Sequence, residues 1–156
     1  ASWATAALYI VVLWTGAAVL GAAVTSMLLG HWYLIDTGLG LAPFRSMLAF
    51  CRRCLIGEVA TVLLVALLLS LLALLTTEAG SHWQEAAGSL WPRYGFLLAV
   101  RGLAWAMAAG LLLMAARTLA IPQTMAATGL FYLEALVVLV GQIAGHWLLF
   151  RTGLPL

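Results

Sequence analysis

The chain has 156 residues, of which 65% are hydrophobic and 8% are charged, and its mean hydropathy is +1.12. A water-soluble protein of this size could not cover so much apolar surface, so the composition predicts an integral membrane protein. The net charge of +2 is too small for a nucleic-acid-binding surface, which sets that class of protein aside.

Four apolar runs are each long enough to cross a hydrocarbon core, which needs about 20 residues. They predict an all-α polytopic membrane protein with short loops and a single membrane domain over residues 1–156. The first run lacks a basic region and a small-residue cleavage site, which indicates a retained helix. The predicted spans are 5–29, 55–76, 94–116 and 124–150.

Two segments between the spans are predicted to be helical without crossing the membrane. In the first, arginines lie opposite an apolar face, which is typical of a helix lying in the membrane interface over about 43–54. The second is the polar stretch 77–93, where a capping box predicts a short helix from Ser81. The apolar face of the interfacial helix consists of Phe44, Met47, Leu48 and Cys51.

Small residues recur every four positions in three of the spans, a pattern that lets helices approach closely in lipid. We therefore expect helix packing to be a main task of this chain. The small-residue ridges are Ala18, Ala22, Ser26 and Gly30 in the first span, Gly102, Ala106 and Gly110 in the third, and Gly141 and Gly145 in the fourth.

One motif occurs twice, as GHWYLIDTGLGL at 30–41 and GHWLLFRTGLPL at 145–156, with eight of twelve positions identical. Each copy follows a long apolar run, so each is predicted to mark the end of a membrane helix. Its Thr-Gly pair suits a left-handed C-terminal turn, His favours a helix C-terminus, and Trp favours the headgroup region. Four spans would place the two copies at opposite membrane faces.

The arginines indicate the orientation. The loops at 36–54 and 117–123 carry most of them, and the positive-inside bias makes that side cytoplasmic. We therefore expect both termini outside, in the inner membrane of a bacterium. The arginines on the cytoplasmic side are Arg45, Arg52, Arg53 and Arg117, against Arg93 and Arg151 on the other side.

Three histidines, His31, His82 and His146, are each followed directly by Trp. One interpretation is anchoring at the membrane interface. The other is contact with haem b or a quinone, since neutral imidazoles commonly ligate haem in membrane bundles. In that case His146 and His82 could act together, because both lie on the predicted outer side, and His31 could not join them. Trp147 and Trp32 would line the same cofactor sites, and no further metal site is predicted.

Ionisable residues within spans are candidates for function. Arg101 and Glu134 are predicted to form an intramembrane ion pair between the third and fourth spans. Its role would be structural, or a proton relay that includes Gln142. Glu58, taken to lie one turn inside the cytoplasmic edge, is expected to pair with a nearby arginine of that side, namely Arg52, Arg53 or Arg117.

Three classes of function remain open. The favoured one is a non-catalytic accessory subunit of a larger membrane assembly, for example a respiratory or photosynthetic electron-transfer complex, with membrane lipids and other membrane subunits as partners. The second is an electron carrier that binds b-haem or quinone through His146 with His82, or through His31. The third is a small oligomeric transporter or channel. The HExxH, GxSxG and P-loop patterns are absent from the sequence, so nothing points to an enzyme in its own right.

Overall fold

The computed structural model describes the backbone of residues 3–36, 38, 40–75, 77–121 and 123–154. Side chains are described over the same ranges, except at residues 4, 5, 72, 73, 75, 77–84, 86, 87 and 89. The predicted all-helical fold with four spans is confirmed, because each of four helices contains 29 to 31 residues apolar enough to cross a membrane. The helices are α1 (Trp3–Ile35), α2 (Ala42–Leu75), α3 (Thr77–Ala120) and α4 (Thr124–Thr152).

The four helices form a ring in which each one packs against two neighbours. α1 lies between α2 and α4, and α3 contacts the same two helices from the opposite side. α1 and α4 run antiparallel, since Gly16 lies against Gln142 and Gly30 lies against Thr128. The two copies of the Gly-His-Trp motif therefore lie at opposite ends of the bundle.

The interfacial helix predicted over about 43–54 is not a separate element, because α2 runs without a break from Ala42 to Leu75. Its apolar face packs into the bundle and does not lie along the membrane surface. Phe44 is fully buried, and its ring stacks on Tyr33 at 4.6 Å and packs against Phe131 at 5.2 Å between centroids. This part of α2 is amphipathic, as predicted, but neighbouring helices and not the membrane interface cover its apolar side.

The polar stretch 77–93 likewise belongs to a longer helix than predicted. α3 starts at Thr77 and includes the apolar segment Leu90–Ala120. Pro92 lies within this helix and does not end it. α2 ends at Leu75, two positions before α3 begins in the sequence. α3 is the longest helix of the chain, with 44 residues.

Candidate functional site

A buried group of polar side chains lies at the centre of the bundle. Its members are Glu58 of α2, Arg101 of α3 and Gln142 of α4, and we call it the central polar cluster. Arg101 Nη2 donates to Glu58 Oε1 at 3.0 Å, and Gln142 Nε2 donates to the same oxygen at 2.6 Å. Arg101 Nη1 donates to the Gly141 carbonyl at 3.0 Å. A single carboxylate oxygen thus joins three helices.

Two further residues shape the central polar cluster. The Arg101 guanidinium carbon lies 4.9 Å from the ring centroid of Trp105, a distance at which cation–π attraction operates. On α1, a Cβ at Gly16 would lie 2.6 Å from Gln142 Oε1, so only glycine lets α1 approach the amide this closely. All four helices therefore contribute to the cluster.

Arg101 was predicted to pair with Glu134, and this prediction is wrong, because its acidic partner is Glu58. Glu134 lies seven residues from Gly141, about 10 Å along α4 from the level at which Arg101 sits. Glu58 was expected near the cytoplasmic edge because the second span was taken to start at residue 55. α2 starts at Ala42, which places Glu58 about 24 Å from that end and level with Arg101.

Glu134 is a second buried acid, separate from the central polar cluster. Its side chain is on α4 and only 2% of the residue is exposed. Its Oε2 atom has no hydrogen-bond partner among the described residues. Among the described residues, Glu134 is therefore not the counter-charge of Arg101, and its Oε2 atom is buried without a partner.

The space around the central polar cluster is small. One cavity of about 10 Å³ lies beside Arg101, Gln142 and His146, and another of about 10 Å³ lies beside Glu58 and Trp105. A volume of this size accommodates about one water molecule. These two cavities have no room for an organic molecule, but Gln142 also borders a larger open groove between α1 and α4.

His146 lies one turn beyond Gln142 on α4, on the exposed side of the cluster. Its Nδ1 is 2.7 Å from the Gln142 carbonyl oxygen, which can only accept, so Nδ1 carries the proton. The lone pair of a neutral imidazole is then on Nε2, free to accept a hydrogen bond or bind a metal. His146 also lines an open groove of about 700 Å³ between α1 and α4, together with Leu13, Leu139 and Trp147.

His31 lies at the other end of the bundle. Its Nδ1 is 3.1 Å from the hydroxyl of Tyr132, and the neighbouring Trp32 is exposed. His146 lines a cavity together with Val12 of α1, so the two residues lie at the same level of the bundle. Val12 precedes His31 by 19 residues on α1, which separates the levels of the two histidines by roughly 28 Å. The two histidines therefore cannot share a ligand. The side chain of His82 lies outside the described residues, so its predicted pairing with His146 stays a prediction.

The two copies of the Gly-His-Trp motif serve different contacts. Gly30 lies against Thr128, whose hydroxyl donates to the Gly30 carbonyl at 3.2 Å. Gly145 instead lies directly against the Arg101 guanidinium. The predicted left-handed turn occurs in the second copy, where Gly153 has φ of +68° and its N–H donates to the Leu149 carbonyl at 2.8 Å.

Trp105 and Gly16 were not among the predicted site residues, and Glu58 was predicted at the wrong level of the bundle. Trp105 follows Arg101 by four residues, a spacing that places both side chains on one helix face. The cation–π contact could therefore have been predicted from the sequence. Nothing in the sequence marks Gly16, because its role depends on Gln142 of another helix. Among the described residues, no three His, Cys, Asp or Glu side chains are close enough together to hold a metal ion.

Comparisons with protein-family models, with curated proteins and with solved structures found no match for this chain.

Proposed function

We propose that this protein is a non-catalytic accessory subunit of a larger membrane assembly, and that it binds partner helices through small-residue faces. The observation that carries this proposal is the outward position of the ridge on α3. Gly102, Ala106 and Gly110 are all exposed, and a Cβ at either glycine would meet nothing within 4 Å. Such a ridge allows close approach of a helix from another chain.

Most residues of the other ridges are buried inside the bundle, and Ala18 of α1 is the exception. Ala22, Ser26 and Gly30 of α1 are buried, as are Gly141 and Gly145 of α4. A Cβ at Gly141 would lie 2.8 Å from the Ala104 Cβ, so that glycine serves contact between α4 and α3. The α3 ridge differs from them because all three of its residues are exposed, which leaves it available to a partner helix.

Purification in mild detergent tests the proposal. We expect the protein to co-purify with larger membrane proteins in fixed stoichiometry, and Gly102→Leu with Gly110→Leu to lose them. The bundle itself has nothing within 4 Å of these positions, so the variant should keep its helical circular dichroism spectrum. Gly129→Leu, at another open position on α4, is the matched control and should retain the partners. Isolation of the native protein as a single species would contradict the proposal.

A second candidate function, contact with a quinone or haem b, is favoured by the groove at His146. The groove is open on the outside of the bundle between α1 and α4, and the Nε2 lone pair of His146 is available at its edge. Quinones reach their sites from the membrane phase, so a lateral opening suits them. Electron transfer by this chain itself, the second class of function above, requires this site.

Substitution of His146 tests the second candidate. If a cofactor is bound there, His146→Ala should lose the haem bands of the reduced-minus-oxidised spectrum, or the quinone extracted per mole of protein. His31→Ala is the control and should retain both, because His31 lies at the opposite end of the bundle. A colourless, quinone-free native protein would eliminate the electron-carrier function.

We also propose that the chain resides in a bacterial inner membrane with both termini outside. The support is the excess of arginine at the end of the bundle where α2 begins and α3 ends. Cys51 is buried and lies too deep to report this orientation by thiol labelling. An Asp36→Cys variant places the thiol at an exposed position beyond the end of α1, and labelling only from the outside would contradict the orientation.

A further inference from the structure

The groove between α1 and α4 is polar near one end and apolar at the other. His146 lines it six residues before the end of α4, which is about 9 Å from that end of the helix. Leu139 lines it about 10 Å further into the bundle on α4, and Leu20 lines it on α1. This arrangement suits a ligand with a small polar headgroup at His146 and an apolar tail that extends inward.

The polar end of the groove offers a hydrogen-bond acceptor. His146 donates its Nδ1 proton to the Gln142 carbonyl at 2.7 Å, so the lone pair of the neutral ring is on Nε2. A group that binds at Nε2 must therefore bring a proton of its own. Carboxylate and phosphodiester oxygens can only accept hydrogen bonds, so an ionised fatty acid or the headgroup of phosphatidylcholine does not satisfy this atom.

A hydrogen-bond donor lies beside the same histidine. Arg101 is only 5% exposed and lines the small cavity that also borders His146. Its Nε atom is a donor and has no hydrogen-bond partner among the described residues. Gln142 and Leu149 line both this cavity and the groove, so the two spaces are neighbours. The cavity accommodates about one water molecule, through which Arg101 can donate to a headgroup at His146.

The dimensions of the groove suit an aromatic headgroup with an apolar tail. Its volume of about 700 Å³ lies within the range of small-molecule sites in proteins. Trp147 and Phe150 line it beside His146 and one turn beyond, where an aromatic ring can pack against them. Ile143 and Leu139 line the inner part, along which a tail would extend.

We propose that this groove binds an apolar-tailed hydroquinone, the reduced form of a quinone, in preference to the oxidised form. The inference rests on the second candidate function and names the redox form that the site selects. A hydroquinone hydroxyl donates its proton to His146 Nε2, while its oxygen accepts from the Arg101 side. A quinone carbonyl only accepts hydrogen bonds, so its oxygen meets the Nε2 lone pair and leaves that atom without a donor.

Isothermal titration calorimetry of the full chain in phosphatidylcholine nanodiscs tests the proposal. The three ligands are decylhydroquinone, kept reduced under anaerobic conditions, decylbenzoquinone, and the dimethyl ether of decylhydroquinone. The ether keeps the ring and the tail but has no hydroxyl proton, so it separates hydrogen bonding from redox state. We expect the hydroquinone to bind about tenfold more tightly than either of the others, the ratio that one satisfied hydrogen bond supplies.

Variants of His146 assign the preference to its lone pair. His146→Leu should lower the affinity for the hydroquinone to that for the quinone. His146→Gln should bring the ratio of the two affinities close to one while both ligands still bind, because an amide both donates and accepts. His31→Leu, at the opposite end of the bundle, is the matched control and should keep the tenfold ratio.

Filling the groove shows whether the ligands bind there. Ile143 is exposed and lines the groove, so Ile143→Trp should weaken the hydroquinone and the quinone equally without disturbing the bundle. Leu63 is also exposed, but it is on α2 and does not line the groove. Leu63→Trp is therefore the control and should leave both affinities unchanged.

Quinone binding as tight as that of the hydroquinone would overturn the proposal, as would a tenfold ratio that survives His146→Leu. A haem band in the native protein that is lost in His146→Leu would also overturn it, because iron would then occupy Nε2. The failure of the second candidate function is distinguishable. Binding of none of the three ligands contradicts quinone contact itself, whereas equal binding that is lost in Ile143→Trp contradicts only the selected redox form.

Discussion

Replacing Arg101 with methionine is expected to destabilise the bundle by about 3–5 kcal/mol, since it leaves a buried charge without its partner. Glu58 would lose its counter-charge, and its Oε2 atom already has no partner among the described residues. The Gly141 carbonyl would lose a donor as well. Reversible unfolding in detergent, followed by circular dichroism, measures the change in the free energy of unfolding.

A double-mutant cycle separates the pair from its surroundings. Glu58→Leu combined with Arg101→Met should recover most of the lost stability, because apolar replacement of a whole buried pair is often neutral. Glu134→Gln is the comparison, and it should change stability little, because Glu134 is not the partner of Arg101. A loss for Glu134→Gln as large as that for Arg101→Met would show that the pairing is wrong.

Gly145→Ala is the second substitution for which we expect a large effect, about 2–3 kcal/mol of destabilisation from overpacking. An ideal Cβ at Gly145 would overlap the Arg101 guanidinium and lie 3.0 Å from its Nε atom. The guanidinium would have to move away from Glu58, and the ion pair of the central polar cluster would be distorted. The same unfolding measurement applies.

The matched control is Gly102→Ala on α3, where a Cβ meets nothing within 4 Å. This variant should be neutral or slightly stabilising, because alanine has the higher helix propensity. A sharper check combines Gly145→Ala with Arg101→Met. The methyl group should then cost much less, because the side chain that it displaces is gone. Additive losses would mean that Gly145 matters for some other contact.

The repeated Gly-His-Trp motif shows how far local patterns reach. The helix exits were predictable, and Gly153 adopts the left-handed turn that Thr-Gly suits. The opposite positions of the two copies followed from the number of spans alone. The different neighbours of Gly30 and Gly145 did not follow, because Thr128 and Arg101 come from other helices.

The partner of Arg101 shows where local patterns fail. In the sequence, the depth of each charged residue was inferred from the ends of the apolar runs. Because Arg52 and Arg53 interrupt the apolar residues, the second span was predicted to start at residue 55. In the bundle α2 begins at Ala42 and carries Arg52 and Arg53 on its exposed side. That shift of thirteen residues brings Glu58 to the centre of the bundle, in contact with Arg101.

The sequence by itself determined that the chain is a four-helix membrane protein with its repeated motifs at opposite ends, because these properties depend on the length, number and order of apolar runs. Only the tertiary structure decided which acid meets Arg101 and which small-residue ridge faces outward. Those outcomes depend on the axial register and rotation of neighbouring helices. Register and rotation arise from packing over the whole bundle, so no single stretch of the chain encodes them.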